Sequence, residues 1–134
     1  MNKASAKEWL NIAFHDLKSA QILYGVNHYT DSIGSDLQQS IEKILKSILA
    51  YENKKIPKSH NLLEVYEYIN TKIILVDDEI IFLIKATLYL KEDRYPNPNY
   101  SLPAKEEIKE ILDFTEDLFE KVCKILDIDK DDLK

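Results

Sequence analysis

Very little in this sequence would stop a helix. Glycine occurs only at Gly25 and Gly34, and proline only at Pro57, Pro96, Pro98 and Pro103. A proline costs a helix interior about 3 kcal/mol and a glycine about 1 kcal/mol relative to alanine. The long intervals between these residues are therefore open to helix, and within them apolar residues recur at spacings of three and four. The expected fold class is all-α, an up-and-down bundle of about five helices with two long antiparallel ones first.

The first helix is expected to open at Ser5, with Glu8 at capping-box spacing. It carries the stripe Trp9, Ile12, Ala13, Leu17, Ala20 and Tyr24, and Gly25 is its terminator in the left-handed conformation. The second runs from about Asp31 to Asn53 on Ile33, Leu37, Ile41, Leu45 and Ile48. A helical wheel puts Gln39, Lys43 and Lys46 on the wet side, with Gln38 at the boundary. A short third helix spans about His60 to Asn70. Asp77 caps a fourth, which is apolar almost all round from Ile80 to Leu90. Such a helix must be covered on several sides, which makes it either the central core helix or one that meets a second copy through Ile81, Phe82 and Tyr89. Pro96, Pro98 and Pro103 break the chain before a last helix that begins near Ser101 and Pro103. The whole is read as a single domain, 1–134, with its core over about 5–126 and a frayed tail over 127–134.

Charge and cysteine usage narrow the function classes. The net charge of −6 is concentrated at the end: from Ala104 onward six lysines stand against eleven acids. An acidic chain is not an obvious nucleic-acid binder. Between Lys43 and His60 the balance reverses, five lysines facing Glu52 alone, which suggests a local phosphate site on an otherwise acidic protein. Cys123 is the only cysteine, so no internal disulfide is expected. No apolar run has the roughly 20 residues needed to span a bilayer, and the first ten residues hold no signal-peptide core. The expected location is the cytoplasm, with no membrane association.

Most enzyme signatures are missing. There is no glycine-rich phosphate loop, no Gly-x-Ser-x-Gly and no Glu-x-x-His pair of the kind that builds a di-metal bundle. His15, His28 and His60 are scattered, so no metal site and no cofactor is expected.

Four short blocks remain. The second helix reads Gln38-Gln39-Ser-Ile-Glu42-Lys43-Ile-Leu45-Lys46. His15-Asp16-Leu17-x-x-Ala20 precedes it. Pro57-Lys58-Ser59-His60-Asn61-Leu62 and Arg94-Tyr95-Pro96 follow it. In this order they resemble the signature of HEPN domains (higher eukaryote and prokaryote nucleotide-binding), over about Glu8 to Tyr100. The resemblance implies a five-helix domain, often a homodimer, frequently encoded beside a minimal nucleotidyltransferase. Catalytic members are implied to be metal-independent ribonucleases whose motif is an arginine followed after four to six residues by a histidine. Histidine moves protons at the ribose hydroxyl or leaving oxygen; arginine binds the developing phosphate charge.

Here the arginine is Arg94, and Asn99, Tyr100 and Ser101 stand where the histidine is required. None of them titrates near neutral pH, and a general acid or base contributes roughly 10²–10⁴-fold. The resemblance therefore implies a dimeric nucleotide- or RNA-binding component of a toxin–antitoxin-like module, without efficient catalysis. Its binding residues are Arg94, Tyr95, Asn97, Asn99 and Tyr100, with Lys43 and Lys46. Two alternatives stay open: an active ribonuclease toxin with a divergent site using Arg94, His60 or Tyr100, and a purely structural interaction module. Each residue also has a plainer role. Glu42 and Lys46 are at the spacing of a surface ion pair, His60 suits a hydrogen bond within its own loop, and Asp16 suits a lysine on the neighbouring helix.

Overall fold

The computed structural model describes residues 1–90 and 101–134. Among them are five α-helices, α1 (Lys3–Gly25), α2 (Thr30–Tyr51), α3 (Leu62–Glu67), α4 (Asp77–Thr87) and α5 (Lys105–Ile125), with a 3-10 turn at Lys130–Asp132. The all-helical bundle expected from the sequence is the one observed.

The caps differ in detail from expectation. The α1 cap is Asn2, whose side chain accepts from the Ser5 amide, so the helix starts ahead of Ser5. Gly25 stays helical, and the left-handed residue is Asn27 (φ 57°). Asn53 and Asp127 close α2 and α5 in the same conformation. In all three places the amide of the next residue bonds back five positions: His28 to Leu23, Lys54 to Leu49, Ile128 to Cys123. This is the Schellman closure, with asparagine and aspartate in the role expected of glycine. At α4 Asp77 is the first helical residue and not the cap. Glu79 reaches back to the Val76 amide at 3.0 Å.

The helices α1 and α2 form an antiparallel hairpin. Its register is fixed by Asn2 amide to Tyr51 carbonyl, Ser40 hydroxyl to Ala13 carbonyl and Ser19 hydroxyl to Asp36 carboxylate. Helix α5 returns antiparallel to α1, through Gln21–Glu116 and the Phe14–Phe119 ring pair. Helix α4 runs antiparallel to α5, with Phe82 on Phe114 and Lys85 on Glu107.

The central helix is α2, not α4. From Ile44 to Ala50 every residue of α2 is buried, whereas α4 buries only Leu83 and Ala86. Polarity hid this in the sequence. Ser40, Glu42, Lys46 and Ser47 are all buried, and each meets a partner inside the protein, so their presence does not mark a wet face. The last residues depart from the expected frayed tail: Leu133 is buried and the Lys134 amide bonds Asn11 at 3.0 Å.

Of the three residues expected at a dimer contact, only Ile81 faces outward. Phe82 is packed on Phe114. The Tyr89 ring lies on Gly34, so close that a Cβ at Gly34 would stand 2.8 Å from its Cγ, and its hydroxyl donates to Glu107. Among the described residues, no helix is long and apolar enough to cross a membrane.

Candidate functional site

The polar residues of the second-helix signature converge on one carboxylate. Glu42 is 2% exposed. Its Oε2 receives Lys46 Nζ at 3.0 Å, with Lys43 Nζ at 3.7 Å. Its Oε1 accepts from Gln38 Nε2 at 3.1 Å and lies 2.9 Å from His60 Nδ1. The same Gln38 amide also reaches the His60 carbonyl at 3.1 Å. Gln39 bridges the cluster, donating to Gln38 at 2.7 Å and accepting from Lys43 at 2.7 Å.

Helical spacing explains the α2 half of this arrangement. Gln38, Glu42 and Lys46 are successive residues at i, i+4 and i+8, so they stack along one side of the helix. His60 is brought in by the loop before α3. Asn61 caps α3 by accepting from the Leu63 and Glu64 amides. The Ser59 hydroxyl accepts from the Asn61 amide and donates to Glu64. The Leu62 amide donates to the Thr87 hydroxyl at 3.0 Å, tying the start of α3 to the end of α4. With both neighbours held, the imidazole has a fixed approach to α2.

The electrostatics follow from burial and pairing. Burial raises the Glu42 pKa, but hydrogen bonds from Lys46 and His60, with the charges of Lys43 and Lys46, outweigh it and hold the carboxyl below its ordinary range. Asp16 on α1 goes the other way. Burial raises it and Asp36 adds to the rise, against the opposing charges of Lys43 and His15.

Several expectations for this region are corrected. Lys46 is 4% exposed, so it does not lie on the wet side of α2, and the Glu42–Lys46 pair is a buried ion pair. Lys46 is thus committed to Glu42 and is no solvent-facing phosphate ligand. Lys43 is engaged with Gln39 and Glu42. The basic stretch looked unopposed because its first lysine directly follows Glu42. Glu42 takes two of its five lysines, and Glu52 takes Lys54 at 3.7 Å as well as Lys72 at 3.2 Å. His60 bonds α2, not only its own loop. The burial of Glu42 was invisible in the sequence; the one available signal was Gln38, Glu42 and Lys46 at one helical spacing with a histidine shortly after. Arg94, Tyr95, Asn97, Asn99 and Tyr100 lie outside the described residues, so their geometry relative to His60 is not part of the site described.

No group of three or more His, Cys, Asp or Glu among the described residues is placed to hold a metal ion. A cleft of about 370 Å³ between α1, α5 and the final turn is lined by Phe14, Lys18, Gln21, Glu116 and Lys130. Within it Gln21 donates to Glu116 at 2.6 Å and Lys130 to Glu120 at 2.7 Å.

The model of the HEPN domain family matches residues 6–126. Among solved structures, the crystal structure of TT1696 from Thermus thermophilus superposes with a TM-score of 0.75 at 23% identity, covering 93% of this chain and 99% of that one. The crystal structure of ST0689, an archaeal HEPN homologue, superposes with a TM-score of 0.68 at 17% identity, covering 94% and 99%. At these identities the likeness is one of fold. No curated protein matches the chain.

Proposed function

The chain belongs to the HEPN domain family, and on that premise we propose that it is a dimeric nucleotide- or RNA-binding protein of the cytoplasm, a component of a HEPN–nucleotidyltransferase module without efficient ribonuclease activity. Arg94 is the only arginine, and Asn99, Tyr100 and Ser101 follow it where proton transfer calls for a histidine. The candidate the sequence offers to replace that histidine is His60. The observation that carries the reading is the state of the carboxylate on which His60 rests. Glu42 Oε2 is ion-paired to Lys46 at 3.0 Å, so much of its charge is already compensated, and less of it is left to stabilise an imidazolium during proton transfer. Arg94, Tyr95, Asn97, Asn99 and Tyr100 then act as ligands for phosphate and base, on a segment whose prolines restrict its freedom.

The test is binding of a labelled single-stranded RNA and of a nucleoside triphosphate to the wild-type chain and to Arg94→Ala. The reading expects the substitution to weaken binding at least about tenfold, on the order of 1.4 kcal/mol, with no change in the thermal transition. Equal affinity of the two chains, or none in either, overturns it.

One observation favours a second reading, an active ribonuclease toxin with a divergent site. A carboxylate that holds a histidine by Nδ1 is the arrangement that orients an imidazole as a base, and His60 retains a side-chain exposure of 44%. This reading requires metal-independent RNA cleavage that is lost in both His60→Ala and Arg94→Ala.

A further inference from the structure

We propose that the cleft between α1, α5 and the final turn, which the functional reading above does not use, is a binding site for a free α-amino acid with an aromatic or branched aliphatic side chain.

Helical spacing builds two of its three walls. Phe14, Leu17 and Lys18 stand at i, i+3 and i+4 on α1, and Glu116, Phe119 and Glu120 repeat that spacing on α5. Each helix therefore turns one stripe toward the cleft. The turn Lys130–Asp132 supplies the third wall through Lys130 and Asp131. The floor is apolar: Leu17 and Phe119 are buried, and the half-buried Phe14 ring leans on Phe119 at 5.8 Å. A volume of about 370 Å³ falls within the roughly 300–1,000 Å³ of small-molecule sites.

Part of the rim is already engaged, Gln21 with Glu116 and Lys130 with Glu120. Two charges are not. The Lys18 ammonium lies over the Phe14 ring, 5.2 Å from its centroid. Among the described residues neither Lys18 nor Asp131 is in an ion pair, and the Asp131 carboxylate accepts no hydrogen bond. One comes from α1 and the other from the turn, so a partner for a carboxylate and a partner for an ammonium flank the same apolar floor.

These features select the ligand. A phosphate ester would bring its charge among Glu116, Glu120 and Asp131, three carboxylates against the ammonium groups of Lys18 and Lys130. A polyamine would meet those two ammonium groups. An uncharged apolar compound would cover Lys18 and Asp131 and leave them without a partner. An α-amino acid has all three complements on one carbon: its carboxylate pairs with Lys18, its ammonium with Asp131, and its apolar side chain rests on Phe14, Leu17 and Phe119. The flexible four-carbon stem of Lys18 lets its ammonium exchange the Phe14 ring for the ligand carboxylate. Both charges stand at an exposed rim, where an ion pair contributes little. The site is accordingly weak, with a dissociation constant of about 1 mM.

The test titrates the full chain with L-phenylalanine while backbone amide resonances are followed by NMR, with thermal unfolding as the control for folding. The amides of Leu17, Lys18 and Phe119 shift and saturate. Phenethylamine, which lacks the carboxylate, and phenylpropionate, which lacks the ammonium, each bind at least about threefold more weakly. Lys18→Ala weakens phenylalanine at least about threefold and does not weaken phenethylamine; Asp131→Asn weakens phenylalanine as much and does not weaken phenylpropionate. Arg94→Ala changes none of these affinities, which separates the cleft from the nucleotide or RNA site. Shifts absent up to about 20 mM or confined to other parts of the chain overturn the assignment. So does an analogue that binds as tightly as phenylalanine, adenosine monophosphate that displaces phenylalanine from the cleft, or phenylalanine binding indifferent to both substitutions.

Discussion

His60 Nδ1 lies 2.9 Å from Glu42 Oε1, joining the loop before α3 to the centre of the buried helix α2. The contact is where the family signature and the packing of the fold coincide. Glu42 cannot be buried alone, because an uncompensated interior carboxylate is strongly unfavourable. Lys46, Lys43, Gln38 and His60 together make its burial possible, and in doing so they fix how the second and third elements pack.

Lys46→Met is therefore expected to destabilise the protein by about 3 kcal/mol, the cost of leaving a buried charge short of its partner. Glu42→Gln and Lys46→Met combined are expected to cost clearly less than the sum of the two. Urea midpoints at constant slope measure both quantities. Strict additivity would show that the two side chains do not act as a pair.

The acid dependence of stability should carry two opposite signatures. A carboxyl held below its ordinary value of 4.5, as Glu42 is, stabilises the fold above that value and loses its contribution as pH falls through its folded pKa. Asp16, raised above its ordinary 3.8, becomes a liability as pH rises from there through its folded pKa. Asp16→Asn should then stabilise the protein at about pH 7 and change little at about pH 3, while Glu42→Gln should destabilise it at about pH 7 and much less at about pH 3. Denaturation midpoints at the two pH values check both signs.

At Gly34 local propensity and packing oppose each other. Gly34→Ala should gain about 1 kcal/mol of helix propensity, but the new methyl would stand 2.8 Å from the Tyr89 ring, and overpacking of this kind costs about 1–3 kcal/mol. The expected result is net destabilisation in the wild type and net stabilisation in a Tyr89→Ala background. The same sign in both backgrounds would show that the ring is not what excludes the methyl.

How far the sequence could be read is clear from α2. Leu37, Ile41, Leu45 and Ile48 announce both the helix and its core side, because apolar periodicity is a property of the helix alone. Lys46 and Glu42 were placed in water because a helical wheel sees one helix, whereas burial is decided by whatever packs over it, here a loop that brings His60 back to α2. The same limit reversed the roles of α2 and α4. A nearly all-apolar α4 reads as either central or covered by a second copy, yet within the chain Ile81, Ile84 and Leu88 are exposed, while the mixed polarity of α2 is satisfied internally by contacts such as Ser40 to the Ala13 carbonyl. The caps failed for a simpler reason: asparagine took the left-handed position two residues past the only nearby glycine.

The stretch that leads into α4 hangs on one hydroxyl. Tyr66 donates to the Ile73 carbonyl at 2.9 Å and accepts from the Leu75 amide at 2.9 Å. Tyr66→Phe removes the hydroxyl from two buried backbone groups and is expected to cost about 2 kcal/mol. Hydrogen exchange at the Leu75 amide should accelerate at least about tenfold. An unchanged rate would mean that this amide is protected by other means.

The central claim is that the chain binds without cutting efficiently, and RNA cleavage tests it most directly. Purified protein is incubated with total cellular RNA in the presence of a chelator, beside Arg94→Ala and His60→Ala. The account predicts that all three chains leave the RNA as intact as a protein-free control over the same time. Rapid cleavage by the wild type that disappears in both variants would contradict it and make the Glu42–His60 pair part of a working ribonuclease.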